Sequence, residues 1–149
     1  LETKEQKELL LKDLCSRLPY GVKCSFGVDD AVYEITGINP TCCGASEIQA
    51  THIKSGINGD FTLNSCKPYL FPLSSMTDEL WDKEFRGYCI TEFTRDSFKY
   101  GCETLEFYNG NPVLSGINGF INSLIKNHFD IYGLIPMGLA TNATGKNIY

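Results

Sequence analysis

A helix that must be covered along one side is written into residues 112 to 128. Val113, Leu114, Ile117, Phe120, Ile121, Leu124, Ile125 and Phe129 form one apolar stripe at helical spacing, with Asn118, Ser123, Lys126 and Asn127 lying away from it. Asn111 suits the N-cap and Pro112 the first helical position. Gly116 and Gly119 each cost about 1 kcal/mol relative to alanine, so they are expected to permit close approach of a strand or helix, or to form a hinge. A stripe of this length needs a sheet or other helices against it.

The rest of the chain supplies both. Residues 3 to 18 read as a second amphipathic helix, with Thr3 and Gln6 as a capping box and Pro19 as the stop. Leu10, Leu11, Leu14, Cys15 and Leu18 make its apolar side, while Glu5, Lys7, Glu8, Lys12 and Asp13 take the other. Tyr20 to Phe26, Ala31 to Ile38, Ile48 to Ile53 and Phe61 to Cys66 read as an antiparallel meander. Its turns are Gly27 to Asp30, a loop from Asn39 to Ser46, and a link through Gly56, Asn58 and Gly59. Pro68 and Pro72 prevent a helix over Lys67 to Ser75, whose aromatic and leucine side chains are expected to pin it across the sheet. Ser75 to Glu79 opens a short helix running to Phe85 or Arg86 and ending at Gly87. Residues 88 to 98 fit a strand or a helical turn, and Tyr100 to Tyr108 reads as a strand closed by Asn109-Gly110. The expectation is one α+β domain over residues 1 to 149: a mostly antiparallel sheet with an N-terminal helix and a C-terminal helix packed on it.

Composition narrows the function classes. The apolar share of 42% and charged share of 21% are those of a globular protein. No uncharged apolar run approaches the roughly 18 residues of a membrane span. The net charge of −5 argues against a nucleic-acid partner, because basic residues do not cluster beside the aromatics. Seven cysteines cannot all pair internally, and the leucine-charge alternation of residues 1 to 11 lacks the apolar core of a secretory signal. Reduced thiols in a cytoplasmic setting, packed as small hydrophobes, are therefore expected. Paired zinc-ligand spacings are missing, and Cys42, Cys43 and His52 are the nearest approach to a soft-ligand group. Neither metal nor cofactor is expected. Phosphate-binding, nucleophile-elbow and zincin motifs are also missing, and no spacing selects a cysteine partner for His52 or His128. His128, at the end of the long helix, reads as a helix terminator whose position favours its protonated form.

Three blocks carry a resemblance. They are Glu8 to Lys23 (ELLLKDLCSRLPYGVK), Lys67 to Thr77 (KPYLFPLSSMT) and His128 to Ala140 (HFDIYGLIPMGLA). Together they resemble the small proteins of uncharacterised function common in gut Bacteroidales, their prophages and mobile elements; Gly87 to Asn111 departs from that pattern. The resemblance implies a bacterial or phage origin and a cytosolic setting. It implies no activity and assigns no catalytic residue.

The charge distribution points to a surface. Thr77 to Glu106 carries eight acids and four bases, whereas Ser115 to Tyr149 has only Lys126, Asp130 and Lys146. A stretch so poor in charge is packed down on its own domain or covered by a partner. Self-docking is expected for most of it, with Tyr132, Leu134, Ile135, Met137 and Leu139 as the candidate apolar contacts. The functional expectation is a non-enzymatic accessory protein that binds another protein or a second copy of itself. The alternative is a small enzyme or ligand-binding protein whose pocket leaves no motif.

Overall fold

The computed structural model describes residues 3 to 27, 31 to 40, 46 to 85 and 114 to 149. The expected turn at Val28 to Asp30, most of the loop after Pro40, the end of the second helix at Gly87, the strand at Tyr100 to Tyr108 and the cap at Asn111 lie outside the described residues.

Helix α1 runs Lys4–Arg17. Thr3 accepts a hydrogen bond from the Gln6 amide, and Gln6 returns one from its side-chain oxygen to the Thr3 amide, completing the expected capping box. Strands β1 (Lys23–Ser25), β2 (Tyr33–Pro40), β3 (Ser46–His52) and β4 (Asn58–Thr62) form the antiparallel meander. β2 carries a bulge between Ile35 and Gly37, so Thr36 is the extra residue and its hydroxyl donates to the Gln49 carbonyl. Strand β5 (Lys67–Leu70) follows, then helix α2 (Asp78–Glu84), helix α3 (Leu114–Lys126) and a two-residue strand β6 (Thr141–Asn142). The sheet order is β4-β3-β2-β1-β5-β6, antiparallel except for the parallel β5–β6 pair. The protein is thus an α+β fold with an N-terminal and a C-terminal helix, and among the described residues no helix is long and apolar enough to cross a membrane.

Several features differ from expectation. The fourth strand is Asn58–Thr62 rather than Phe61 to Cys66, because Leu63–Ser65 turns as a 3-10 helix held by the Ser65 hydroxyl on the Thr62 carbonyl. Lys67 to Leu70 is a strand, although it contains Pro68. Proline lacks an amide donor, and the ladder avoids needing one: β1 pairs with Lys67 and Pro68, while β6 pairs only with Tyr69 and Leu70, so Pro68 has no β6 partner on its other side. In α1, Cys15 is exposed whereas Asp13 is fully buried, the reverse of the sequence reading. The reason is Arg17, whose Nε and Nη2 clamp the two Asp13 carboxylate oxygens at 2.8 and 2.7 Å and make the buried pair tolerable.

The core has two parts. Leu10 and Leu14 of α1 pack with Val22, Cys24, Ile35, Ile48, Ala50 and Leu70 of the sheet side. Phe120, Leu124 and Ile125 of α3 pack with Leu73, Met76 and Phe85 around α2. Tyr132 touches both parts. Thr77 caps α2 by accepting from the Leu80 amide, with Asp78 and Glu79 in the first turn as expected. Ser123, expected on the polar side of α3, is buried.

Candidate functional site

Helix α3 ends in a way that positions everything after it. His128 adopts φ 60°, a left-handed conformation rare for a residue with a side chain. Its amide donates to the Ile125 carbonyl and the Phe129 amide to the Leu124 carbonyl, the double hydrogen bond of a Schellman termination. Phe129 and Leu124 are buried together, which adds the apolar contact that accompanies this motif. Arg17 seals the same terminus: Nη1 donates to the Ile125 carbonyl at 3.2 Å and Nη2 to the Phe129 carbonyl at 2.7 Å. Burial pushes the Asp13 carboxyl up, the Arg17 guanidinium opposes that shift, and the nearby Asp130 adds to it.

The chain then crosses to the sheet. The Phe71 amide donates to the His128 carbonyl at 2.9 Å and the Asp130 amide to the Phe71 carbonyl at 2.8 Å. Asp130 is buried, and its carboxylate accepts the Leu134 amide on Oδ1 and the Ile135 amide on Oδ2, both at 2.8 Å. That grip turns the backbone so that Leu134 and Leu139 enter the first core, with Tyr132 and Ile135 half-buried against it. Met137, 41% exposed, is the one of the five candidate contacts left open. Leu134 and Leu139 are accordingly corrected from surface contacts to core residues. Asp130, one of three charges in the segment, is what docks it.

His128 also differs from expectation. Its ring is buried and stacked on Tyr149, with centroids 3.8 Å apart and planes 13° from parallel. Burial, then Arg17 and Lys23, lower its pKa to about 4, against a hydrogen bond to the Tyr20 backbone that raises it. The helix-end position favours the protonated ring, but burial outweighs it, so the neutral form is the resident one at pH 7.

A second region was not singled out in the sequence. β3 and β4 are joined by the five residues Ile53 to Ile57, with Gly56 at φ 71° supplying the left-handed turn position. The His52 amide donates to the Ile57 carbonyl at 2.9 Å and the Gly56 amide to the His52 carbonyl at 2.8 Å. His52 Nδ1 lies 2.6 Å from the Ser55 hydroxyl and also accepts the Ser55 amide at 3.3 Å, so the pair braces the turn. Phe26 and Phe61 stack at 3.8 Å, Tyr33 meets both edge-on, and His52 tilts against Tyr33, which fixes the hairpin to the sheet. On this rigid base Ile53 is 45% and Ile57 67% exposed. A cleft of about 600 Å³ lies on the Ile53 side, lined in part by Val32, Asn147 and Ile148. A smaller one of about 200 Å³ lies on the Ile57 side, lined by Tyr33, Ser55 and Phe61. The available signal was Ile57 itself, an apolar residue between Gly56 and Asn58 where a turn favours polar side chains.

Cys24 and Cys66 are buried free thiols in contact, and their mutual hydrogen bond, then burial, pushes the Cys24 thiol up. Such thiols are inert packing groups. Cys42, Cys43, Cys89 and Cys102 lie outside the described residues. Among the described residues no group of three or more His, Cys, Asp and Glu side chains could hold a metal ion. No protein family, curated protein or solved structure matches the chain.

Proposed function

We propose that this chain is a non-enzymatic accessory protein of a gut bacterium, prophage or mobile element that works in the cytoplasm by binding another protein, and that the Ile53 to Ile57 hairpin tip is the contact. The observation that carries the reading is the pair of exposed isoleucines on a braced, aromatic-backed turn. Water-exposed isoleucine gains free energy when a partner covers it, and a rigid turn loses little entropy on binding. Met137 remains from the C-terminal surface. The resemblance of the three sequence blocks supports the bacterial or phage setting. Affinity capture from Bacteroidales host cells, with and without phage infection, tests the idea with wild type and an Ile53→Asp/Ile57→Asp variant. The expected result is a partner retained by wild type and lost by the variant, at unchanged thermal midpoint. Equal capture by both proteins overturns the hairpin assignment. Sedimentation of the same pair tells a second copy of this chain from a different partner.

A second reading, a small hydrolytic enzyme, is favoured by the 2.6 Å contact between His52 Nδ1 and the Ser55 hydroxyl beside the smaller cleft. Labelling of Ser55 by a fluorophosphonate, abolished in His52→Gln, supports it; an unlabelled Ser55 excludes it.

A further inference from the structure

We propose that Thr141 to Tyr149 is a strap released by acid, with His128 as the group that triggers it. The strap is held at its start by the two-residue β6 ladder and the fully buried Ala143, in its middle by Lys146 Nζ over the Tyr69 ring at 5.3 Å, and at its end by Ile148 and Tyr149. The Ala143 amide donates to the Leu70 carbonyl at 2.8 Å beside β6. The Tyr149 hydroxyl donates to the Tyr69 carbonyl at 2.8 Å and accepts the Lys23 amide at 3.2 Å, while Lys23 Nζ donates to the Ile148 carbonyl at 2.7 Å. The Tyr149 ring then covers the His128 imidazole at 3.8 Å, with Phe71 at 5.9 Å on its other contact.

Under that ring, His128 Nδ1 is buried with no hydrogen-bond partner. The unpartnered Nδ1 and the ring's attraction to the Tyr20 backbone assign the neutral ring's proton to Nε2, so Nδ1 is where a proton from solvent adds. The charges that bear on the ring are Arg17 from α1 and Lys23 from β1, both positive. The carboxylates of the region are engaged elsewhere: Asp13 by Arg17, and Asp130 by the Leu134 and Ile135 amides. A second proton on the imidazole therefore creates a sealed cation beside two others and without an acceptor. Lifting Tyr149 admits water to Nδ1 and relieves it.

The sign follows from where the proton binds. A free histidine titrates near 6.5, and His128 in the docked state near 4. Between those values the released form takes up the proton and the docked form does not. Docking is thus at full strength above pH 6.5 and weakens as pH falls towards 4, by roughly a hundredfold in the docking equilibrium over that range. Asn147 and Ile148 form one wall of the cleft beside Ile53, so release also opens that cleft. Only this last consequence rests on the binding role proposed for the hairpin.

Nuclear magnetic resonance of the full chain from pH 7.5 to 4.0 tests the proposal, following the His128 ring and the amides of residues 141 to 149. The expected result is a depressed His128 titration, with the strap amides shifting to exposed positions on the same midpoint while β3 and β4 keep their native signals. In His128→Asn, chosen because asparagine tolerates a left-handed backbone, the strap stays docked at pH 4. His128 titrating near 6.5 with unmoved strap amides overturns the proposal. So does a strap that stays docked while His128 protonates, or one that leaves at the same pH in His128→Asn. A hairpin that binds nothing leaves these readouts intact.

Discussion

Replacing Arg17 by methionine removes a fully buried guanidinium that holds three partners: the Asp13 carboxylate, the Ile125 carbonyl and the Phe129 carbonyl. The substitution keeps an apolar stem of similar reach, so lost volume contributes little. What remains is an unpaired buried carboxylate and a Phe129 carbonyl without its donor, while the Ile125 carbonyl keeps the His128 amide. Removing one member of a buried pair costs about 3–5 kcal/mol. An orphaned buried acceptor costs about 1–3 kcal/mol, though not additively with the first term. Asp13 lowers the total by taking up a proton, which burial already favours. A loss of about 3–5 kcal/mol results, a large part of a typical stability of about 5–15 kcal/mol. The companion variant Asp13→Leu/Arg17→Met removes both charges and leaves only the Phe129 carbonyl without its donor, so it should be more stable than Arg17→Met alone. Urea unfolding followed by Trp81 fluorescence and circular dichroism gives both values, with the slope against urea showing whether the native state stays compact. A double variant no more stable than Arg17→Met, or a loss under about 1 kcal/mol for Arg17→Met, would refute the reasoning that this pair seals the α1–α3 junction.

Three further outcomes follow from the same contacts. Asp130→Ala removes two charge-assisted hydrogen bonds to the Leu134 and Ile135 amides and should cost about 2–4 kcal/mol in urea unfolding; a change within about 0.5 kcal/mol would mean the turn holds itself. Iodoacetamide should modify Cys15 in the native protein while Cys24 and Cys66 react only after unfolding, as read by peptide mass mapping; equal rates at all three would contradict the buried thiol pair. Thr77→Ala should lower stability by about 0.5–2 kcal/mol through loss of the cap on the Leu80 amide, and an unchanged urea midpoint would show that α2 does not need its cap.

The parts of this fold legible in the sequence are those set by local chemistry. The Thr3–Gln6 box, the Pro19 stop, the Thr77 start and the apolar spacing of α3 each need only a few neighbouring residues, and each appears in the structure. The meander was legible because alternation and turn residues set strand pairing over short separations. What was hidden depends on residues more than a hundred positions apart. Asp13 reads as a polar-face residue until Arg17 is seen to reach Ile125 and Phe129. His128 reads as a cation at a helix end until Tyr149 covers it. The candidate surface shows the same limit. Low charge between 115 and 149 was a sound sign of a covered segment, but composition carries no direction, and Asp130 turns Leu134 and Leu139 inward.

The account's central claim is that the segment after α3 is part of the fold, which leaves the hairpin tip as the most exposed apolar surface among the described residues. Hydrogen exchange at pH 7 measures this directly, residue by residue. The account predicts slow exchange at Phe71, Asp130, Leu134, Ile135 and Ala143, whose amides are all held by named acceptors, and fast exchange at Lys54 on the hairpin tip. Fast exchange throughout 131 to 149 would contradict it, because the segment would then be a free tail and Leu134 and Leu139 would be surface residues after all.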